Sequence, residues 1–117
     1  MSARDDAPDA LADAARAAGG SAVTLLIRSL VKPGHDGEVR PLMAATFARI
    51  RAEEAACDVL VGHQSADDPQ RFMVYEEWSD RDELERFSAT REHMQEYFAQ
   101  MAPHVEDFER SFWVRFI

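Results

Sequence analysis

The residues with the most chemical potential are an arginine and a glutamate in two apolar stretches. Arg28 interrupts VTLLIRSLV, residues 23–31, and Glu76 lies in RFMVYEEW, residues 71–78. Both stretches alternate as strands do, and pairing them as neighbours places Arg28 and Glu76 on one sheet face. A carboxylate on a covered face is costly unless it is paired, so we expect a buried or half-buried Arg28–Glu76 ion pair.

Two interpretations of this ion pair stay open. The pair either fixes the strand register, or it leaves the Arg28 guanidinium to hold a planar enolate or phenolate oxygen of a substrate. The substitution Arg28→Met distinguishes them. Lost turnover at an unchanged melting temperature indicates catalysis, whereas a collapse of stability indicates a structural pair.

Other candidate residues have both a chemical and a structural interpretation. His93 is a candidate acid–base group because an imidazole titrates near neutral pH, but its helical position fits a solvated surface equally well. Trp78 is either a core aromatic or an indole N–H donor to a substrate carbonyl. Cys57, the single cysteine, is expected to be a small buried residue. His35 and His104 adjoin turn residues and are expected to face solvent. No pair has zinc-type spacing, so no metal is predicted.

Length, charge and cysteine content limit the function classes. The 117 residues suffice for one domain with one core. A net charge of -9 argues against nucleic acid and anionic membranes as partners. A single cysteine forms no internal disulfide, and neither a signal peptide nor an apolar stretch long enough to span a bilayer is visible. These features favour a cytoplasmic protein.

The periodicity of apolar residues predicts the elements that position these side chains. Residues 1–20, rich in Ala and Asp, are expected to form a flexible or loosely helical arm before a domain at 21–117. The predicted elements are a strand at 23–31, a helix within 36–56, strands at 59–64 and 71–78, a helix between 79 and 103 that divides near 88–90, and a last strand in SFWVRFI, residues 111–117. This β-α-β-β-α-β order predicts an α+β, ferredoxin-like split βαβ fold with an antiparallel sheet.

One face of that sheet has no helix to cover it. Regular alternation assigns apolar residues to this face, namely Val23, Leu25, Ile27, Trp113 and Ile117. An exposed apolar surface of this size indicates a partner. We therefore expect a two-fold homodimer.

Several short motifs carry a resemblance to a known family. LVKPGHDGEV, residues 30–39, and EEAACDVLVGHQSADDPQRFMVYEEWSDRDEL, residues 53–84, resemble the antibiotic biosynthesis monooxygenase (ABM) family of dimeric α+β barrels. The resemblance covers about residues 23–116. It implies a cavity between sheet and helices, with Glu76 and Trp78 facing it and an apolar wall formed by Leu84, Phe87, Met94 and Phe98.

The resemblance also implies a chemistry that uses neither cofactor nor metal. A small aromatic substrate of the quinol or anthrone type is deprotonated, and its carbanion reduces O₂ directly. Arg28, Glu76 and His93 are the predicted catalytic residues, while Trp78 joins the wall as a substrate-binding residue. Haem degradation is disfavoured, because Arg28, Phe87 and Glu96 stand where haem-degrading relatives have an Asn, a Trp and a His. A non-catalytic ligand-binding or stress-related dimer is the alternative, and an isomerase is a third possibility.

Overall fold

The computed structural model describes residues 22–117, so the arm predicted at residues 1–20 lies outside the described residues. The strands are β1 (Val23–Val31), β2 (Cys57–Gln64), β3 (Arg71–Trp78) and β4 (Val105–Trp113), and the helices are α1 (Asp36–Glu53), α2 (Arg81–Thr90) and α3 (Glu92–Met101), followed by a 3₁₀ turn at Ala102–His104. The strands form one antiparallel sheet in the order β2-β3-β1-β4. The predicted ferredoxin-like α+β fold is confirmed. No helix among these residues is both long and apolar enough to cross a membrane.

The helices cover one sheet face because each carries an apolar stripe. In α1 the buried residues Val39, Met43, Phe47 and Ile50 recur at helical spacing. The second helical region divides in two, as its sequence predicts, because Arg91 adopts an extended backbone (φ -77, ψ 120) between α2 and α3. The chain therefore forms two short helices here instead of one long helix.

The face of β1 that meets the helices is the opposite of the predicted one. Leu25 and Ile27 pair with Glu76 and Val74 of β3 on the helix-covered face. Arg28 pairs with Met73 on the open face, 65% of its side chain is exposed, and its Nη1 lies 3.7 Å from Glu109 Oε1. The predicted Arg28–Glu76 ion pair is therefore wrong. Both faces of β1 are apolar, so alternation alone leaves its phase undetermined, and a one-residue error exchanges the two faces.

The last strand begins earlier than predicted. β4 covers Val105–Trp113, and the residues after Trp113 lie outside it. Within the described sheet this strand pairs only with β1, so it lies at the edge. Its charged residues Glu106, Asp107 and Glu109 are exposed. Those charges resemble a loop in the sequence, although edge strands commonly carry them.

Candidate active site

A cavity of about 330 Å³ lies between the sheet and the three helices. Its volume falls near the lower end of the range for small-molecule sites, about 300–1,000 Å³. Its walls are largely aliphatic and aromatic, and the polar side chains on it are Ser29, Glu76, Ser88, Tyr97 and Arg110. An apolar hollow with a few polar groups is what a small aromatic ligand requires.

The structure places the predicted apolar wall on this cavity. Leu84, Phe87, Met94 and Phe98 all line it; the first three are buried, and Phe98 is 45% exposed. Trp78 lies behind the wall, 1% exposed, with its ring centroid 5.3 Å from that of Phe87. The exposure of Phe98 leaves an apolar ring at the edge of the cavity.

Glu76 is the buried carboxylate of the cavity. It is 7% exposed, and it lies between Leu25 and Leu60 of the neighbouring strands. Its Oε1 accepts a hydrogen bond from Trp78 Nε1 at 2.8 Å. Burial raises the pKa of Glu76, whereas the Trp78 hydrogen bond and the positive charge of Arg110 lower it. A carboxylate with a raised pKa is a stronger base, which suits it to take a proton from a weakly acidic substrate and return it.

Two titratable residues of the cavity, Arg110 and Tyr97, are absent from the sequence-based candidates. Arg110 lies on the helix-covered side of β4, between Phe108 and Phe112, and contributes an exposed cation to the cavity. Burial, and then the nearby charge of Glu76, raises the pKa of Tyr97 to about 12, so its phenol stays protonated at neutral pH.

Each of these two residues has a sequence signal that could have found it. Tyr97 continues the helical stripe from Met94 to Met101, and Arg110 alternates with two aromatic residues in FERSF.

Contacts outside the cavity hold its walls in place. The Glu54 carboxylate, at the end of α1, accepts a 2.8 Å hydrogen bond from Arg91 Nε at the α2–α3 break. A Cβ built on Gly62 of β2 would lie 3.2 Å from Phe47 Cε2, so glycine lets this ring pack against the sheet. These contacts fix both helical walls relative to the sheet.

Two predicted catalytic residues lie away from the cavity. Arg28 is on the opposite sheet face, and the arginine that lines the cavity is Arg110. His93 lies behind Phe87, with ring centroids 6.1 Å apart, in a polar groove outside the cavity lining. The buried Nε2 of His93 has no hydrogen-bond partner among the described residues. Neither Arg28 nor His93 lines the cavity that contains Glu76, so their catalytic roles stay predictions.

The helix-covered sheet and its ligand-sized cavity define a ferredoxin-like α+β protein with a candidate small-molecule site. The chain belongs to the antibiotic biosynthesis monooxygenase family, whose model matches residues 22–109. No curated protein matches the chain.

Solved structures show the same fold. PA3566 from Pseudomonas aeruginosa is 25% identical with a TM-score of 0.75, and the match covers 85% of this chain and 98% of that one. SO0527 from Shewanella oneidensis is 24% identical with a TM-score of 0.74, covering 81% and 91%. A structure described as an antibiotic biosynthesis monooxygenase is 24% identical with a TM-score of 0.73, covering 81% and 99%.

Proposed function

We propose that the protein is a cofactor-independent monooxygenase that oxidises a small quinol- or anthrone-type aromatic in the cavity above Glu76. The single observation that carries this proposal is the buried Glu76 carboxylate, with its raised pKa, on an otherwise largely apolar cavity. Such a site suits flat apolar rings and supplies the base that the reaction needs.

The proposed reaction balances without a cofactor for a substrate that has a methylene flanked by aryl rings. Glu76 removes one methylene proton, the carbanion bonds to O₂, and the protonated carboxyl returns the proton to give a hydroperoxide. Glu76 then removes the second proton as the O–O bond breaks, leaving a carbonyl and water. Four electrons leave the methylene carbon and reduce one O₂.

Arg110 and Tyr97 are proposed to assist this sequence. The Arg110 guanidinium lines the same cavity as Glu76 and offers positive charge to an enolate or peroxide oxygen. The Tyr97 phenol, whose pKa of about 12 keeps it protonated, is a further hydrogen-bond donor beside the cavity. Both groups complement negative charge that develops after deprotonation.

We also propose that the working form is a homodimer joined through the open sheet face. The face carries half-buried or exposed apolar side chains from all four strands, namely Leu26, Leu30, Val61, Met73, Tyr75 and Trp113. A second copy would remove this surface from water. Leu26→Glu should convert a dimer seen by analytical ultracentrifugation into a monomer, whereas Glu106→Gln on the edge strand should leave the dimer intact. A monomeric unmodified protein at micromolar concentration contradicts this part of the proposal.

The test of the proposed activity is oxygen uptake with a panel of anthrones and hydroquinones. We expect at least one compound to drive uptake by the unmodified protein, and Glu76→Gln to slow that uptake by about 10²–10⁴-fold, the usual contribution of a general base. Glu77→Gln is the matched control, because this neighbouring glutamate lies on the other sheet face. Equal uptake by the protein and by Glu76→Gln contradicts the proposed role of Glu76.

The same panel tests the alternative function. Tight binding of an aromatic compound, measured by quenching of tryptophan fluorescence, together with no oxygen uptake at high protein concentration, would favour a non-catalytic ligand-binding dimer.

A further inference from the structure

Two histidines and a glutamate come together at one end of the sheet, outside the cavity lining. His35 and His104 are 69 positions apart in the chain, yet their Nδ1 atoms are 2.9 Å apart. The Glu38 Oε2 lies 3.1 Å from His104 Nδ1 and 3.8 Å from His35 Nδ1. Both histidines were expected to face solvent; in the structure 38% of the His35 side chain and 20% of the His104 side chain are exposed, and the rest of each ring is covered.

The backbone holds these three residues on a common support. The Lys32 N–H donates to the His104 carbonyl at 2.8 Å, and the His35 N–H donates to the Lys32 carbonyl at 3.0 Å. Gly34 has a φ of 80, a conformation that suits glycine and lets the chain turn into α1. The backbone of one residue, Lys32, thus ties both histidine-bearing segments together.

We propose that His35, Glu38 and His104 form a binding site for a zinc-class divalent cation. The three donor atoms form a triangle with sides of 2.9, 3.1 and 3.8 Å. A point equidistant from its corners is about 1.9 Å from each, and a shift of about 0.7 Å out of the plane gives the 2.0–2.1 Å bonds that zinc makes to nitrogen and oxygen. The separations between the donor atoms are therefore compatible with a bound ion of this class.

The donor set favours a particular class of ion. Two imidazoles and one carboxylate suit Zn²⁺, Co²⁺ or Ni²⁺ and do not suit Mg²⁺ or Ca²⁺, which prefer oxygen ligands. Both Nδ1 atoms would give their lone pairs to the metal, so each ring would keep its proton on Nε2. Glu38 is 64% exposed, which leaves water free to complete the coordination.

A cation at this place would clamp two segments that the chain order separates. His35 and Glu38 belong to the start of α1, and His104 precedes β4, the edge strand that carries Arg110. Metal binding should therefore stabilise the docking of β4. This site is independent of the proposed oxygenase activity, and neither proposal depends on the other.

Cobalt and zinc chloride test the site directly in the full chain, purified without a polyhistidine tag. We expect one equivalent of Co²⁺ per chain to give the visible absorption of nitrogen- and oxygen-ligated cobalt, and Zn²⁺ to abolish it by competition. Zinc at a hundred times its dissociation constant should raise the melting temperature by roughly 10 °C.

Substitutions identify the ligands. His104→Ala and Glu38→Gln should each weaken Co²⁺ binding by more than about tenfold, since the loss of even an indirect partner of a metal ligand costs that much. His63→Gln is the matched control, because His63 pairs with Met73 on the open sheet face, away from the three donor atoms, and its loss should leave Co²⁺ affinity unchanged. His35→Gln serves as a further ligand variant if circular dichroism shows that another variant fails to fold.

The outcomes separate a metal site from a hydrogen-bonded pair. Absence of a cobalt spectrum in the folded protein, or equal Co²⁺ affinity in the protein and Glu38→Gln, overturns the proposal. Binding that His63→Gln weakens as strongly as His104→Ala overturns it too, because the metal would then be held by scattered surface histidines.

Discussion

Replacing Glu76 by glutamine should stabilise the protein at alkaline pH while it removes the proposed base. Glutamine has nearly the same shape, and its carbonyl oxygen can accept the hydrogen bond that Trp78 Nε1 donates to Glu76 at 2.8 Å. The substitution removes the ionised carboxylate, which is expensive to hold at 7% exposure. We therefore expect Glu76→Gln to lower the activity and to raise the free energy of unfolding at alkaline pH.

The sign of the pH effect follows from the raised pKa of Glu76 in the folded chain. Folding favours the protonated acid, so the protein loses stability as the pH rises from the unfolded-state pKa through the folded-state pKa. Each unit of difference between these two pKa values corresponds to about 1.4 kcal/mol, or roughly 4–8 °C in melting temperature for a domain of this size. Below both pKa values this contribution is fully present; above both it is lost.

The assay is thermal unfolding of the protein and of Glu76→Gln from pH 4 to pH 9, followed by circular dichroism. We expect the melting temperature of Glu76→Gln relative to the unmodified protein to rise with pH between the unfolded-state and folded-state pKa values of Glu76, and to level off above both. Glu77→Gln controls for the loss of one negative charge on β3 and should show no such trend. A difference that stays constant with pH, or that shrinks toward alkaline pH, would refute the reasoning.

Three further predictions concern the surroundings of Glu76. Trp78→Phe removes the hydrogen-bond donor to the buried Glu76 carboxylate. It should lower the free energy of unfolding by about 1.5–3 kcal/mol in urea titrations at pH 8. An unchanged urea midpoint would mean that this hydrogen bond contributes nothing to stability. Arg110→Met removes a positive charge that lowers the pKa of Glu76. The acidic limb of the pH–rate profile should therefore move to higher pH. A move to lower pH would contradict this expectation. Burial, followed by the charge of Glu76, raises the pKa of Cys57 to about 12. Iodoacetamide at pH 8 should therefore label the unfolded chain roughly 10–100-fold faster than the native one, and comparable rates would contradict this expectation.

The sequence was sufficient to predict features that depend on local periodicity. The stripe through Leu84, Phe87 and Met94 predicted which side of the second helical region is buried, and the weak segment at 88–90 predicted the break before Arg91. The alternating pattern of RFMVYEEW likewise predicted the strand that ends at Trp78. These patterns are local and extend over several residues, so one residue that departs from the pattern does not change the prediction.

The features that were predicted wrongly or missed depend on pairing between residues far apart in the sequence. β1 is apolar on both faces, so nothing within it determines whether Leu25 or Arg28 meets the helices; the register with β3 decides this. Arg110 went unrecognised because the charged start of β4 resembles a loop. The approach of His35 to His104 depends on where β4 begins beside β1, which no spacing within either segment encodes.

The central claim is that O₂ reacts with an aromatic substrate deprotonated by Glu76 in this cavity. The most direct measurement is turnover under isotopically labelled dioxygen with the anthrone or hydroquinone that gives the fastest uptake, followed by mass spectrometry of the product. The account predicts one labelled oxygen atom in the product, the other in water, and almost no labelled product with Glu76→Gln. A product whose new oxygen comes from unlabelled water, or equal labelling with Glu76→Gln, would contradict it.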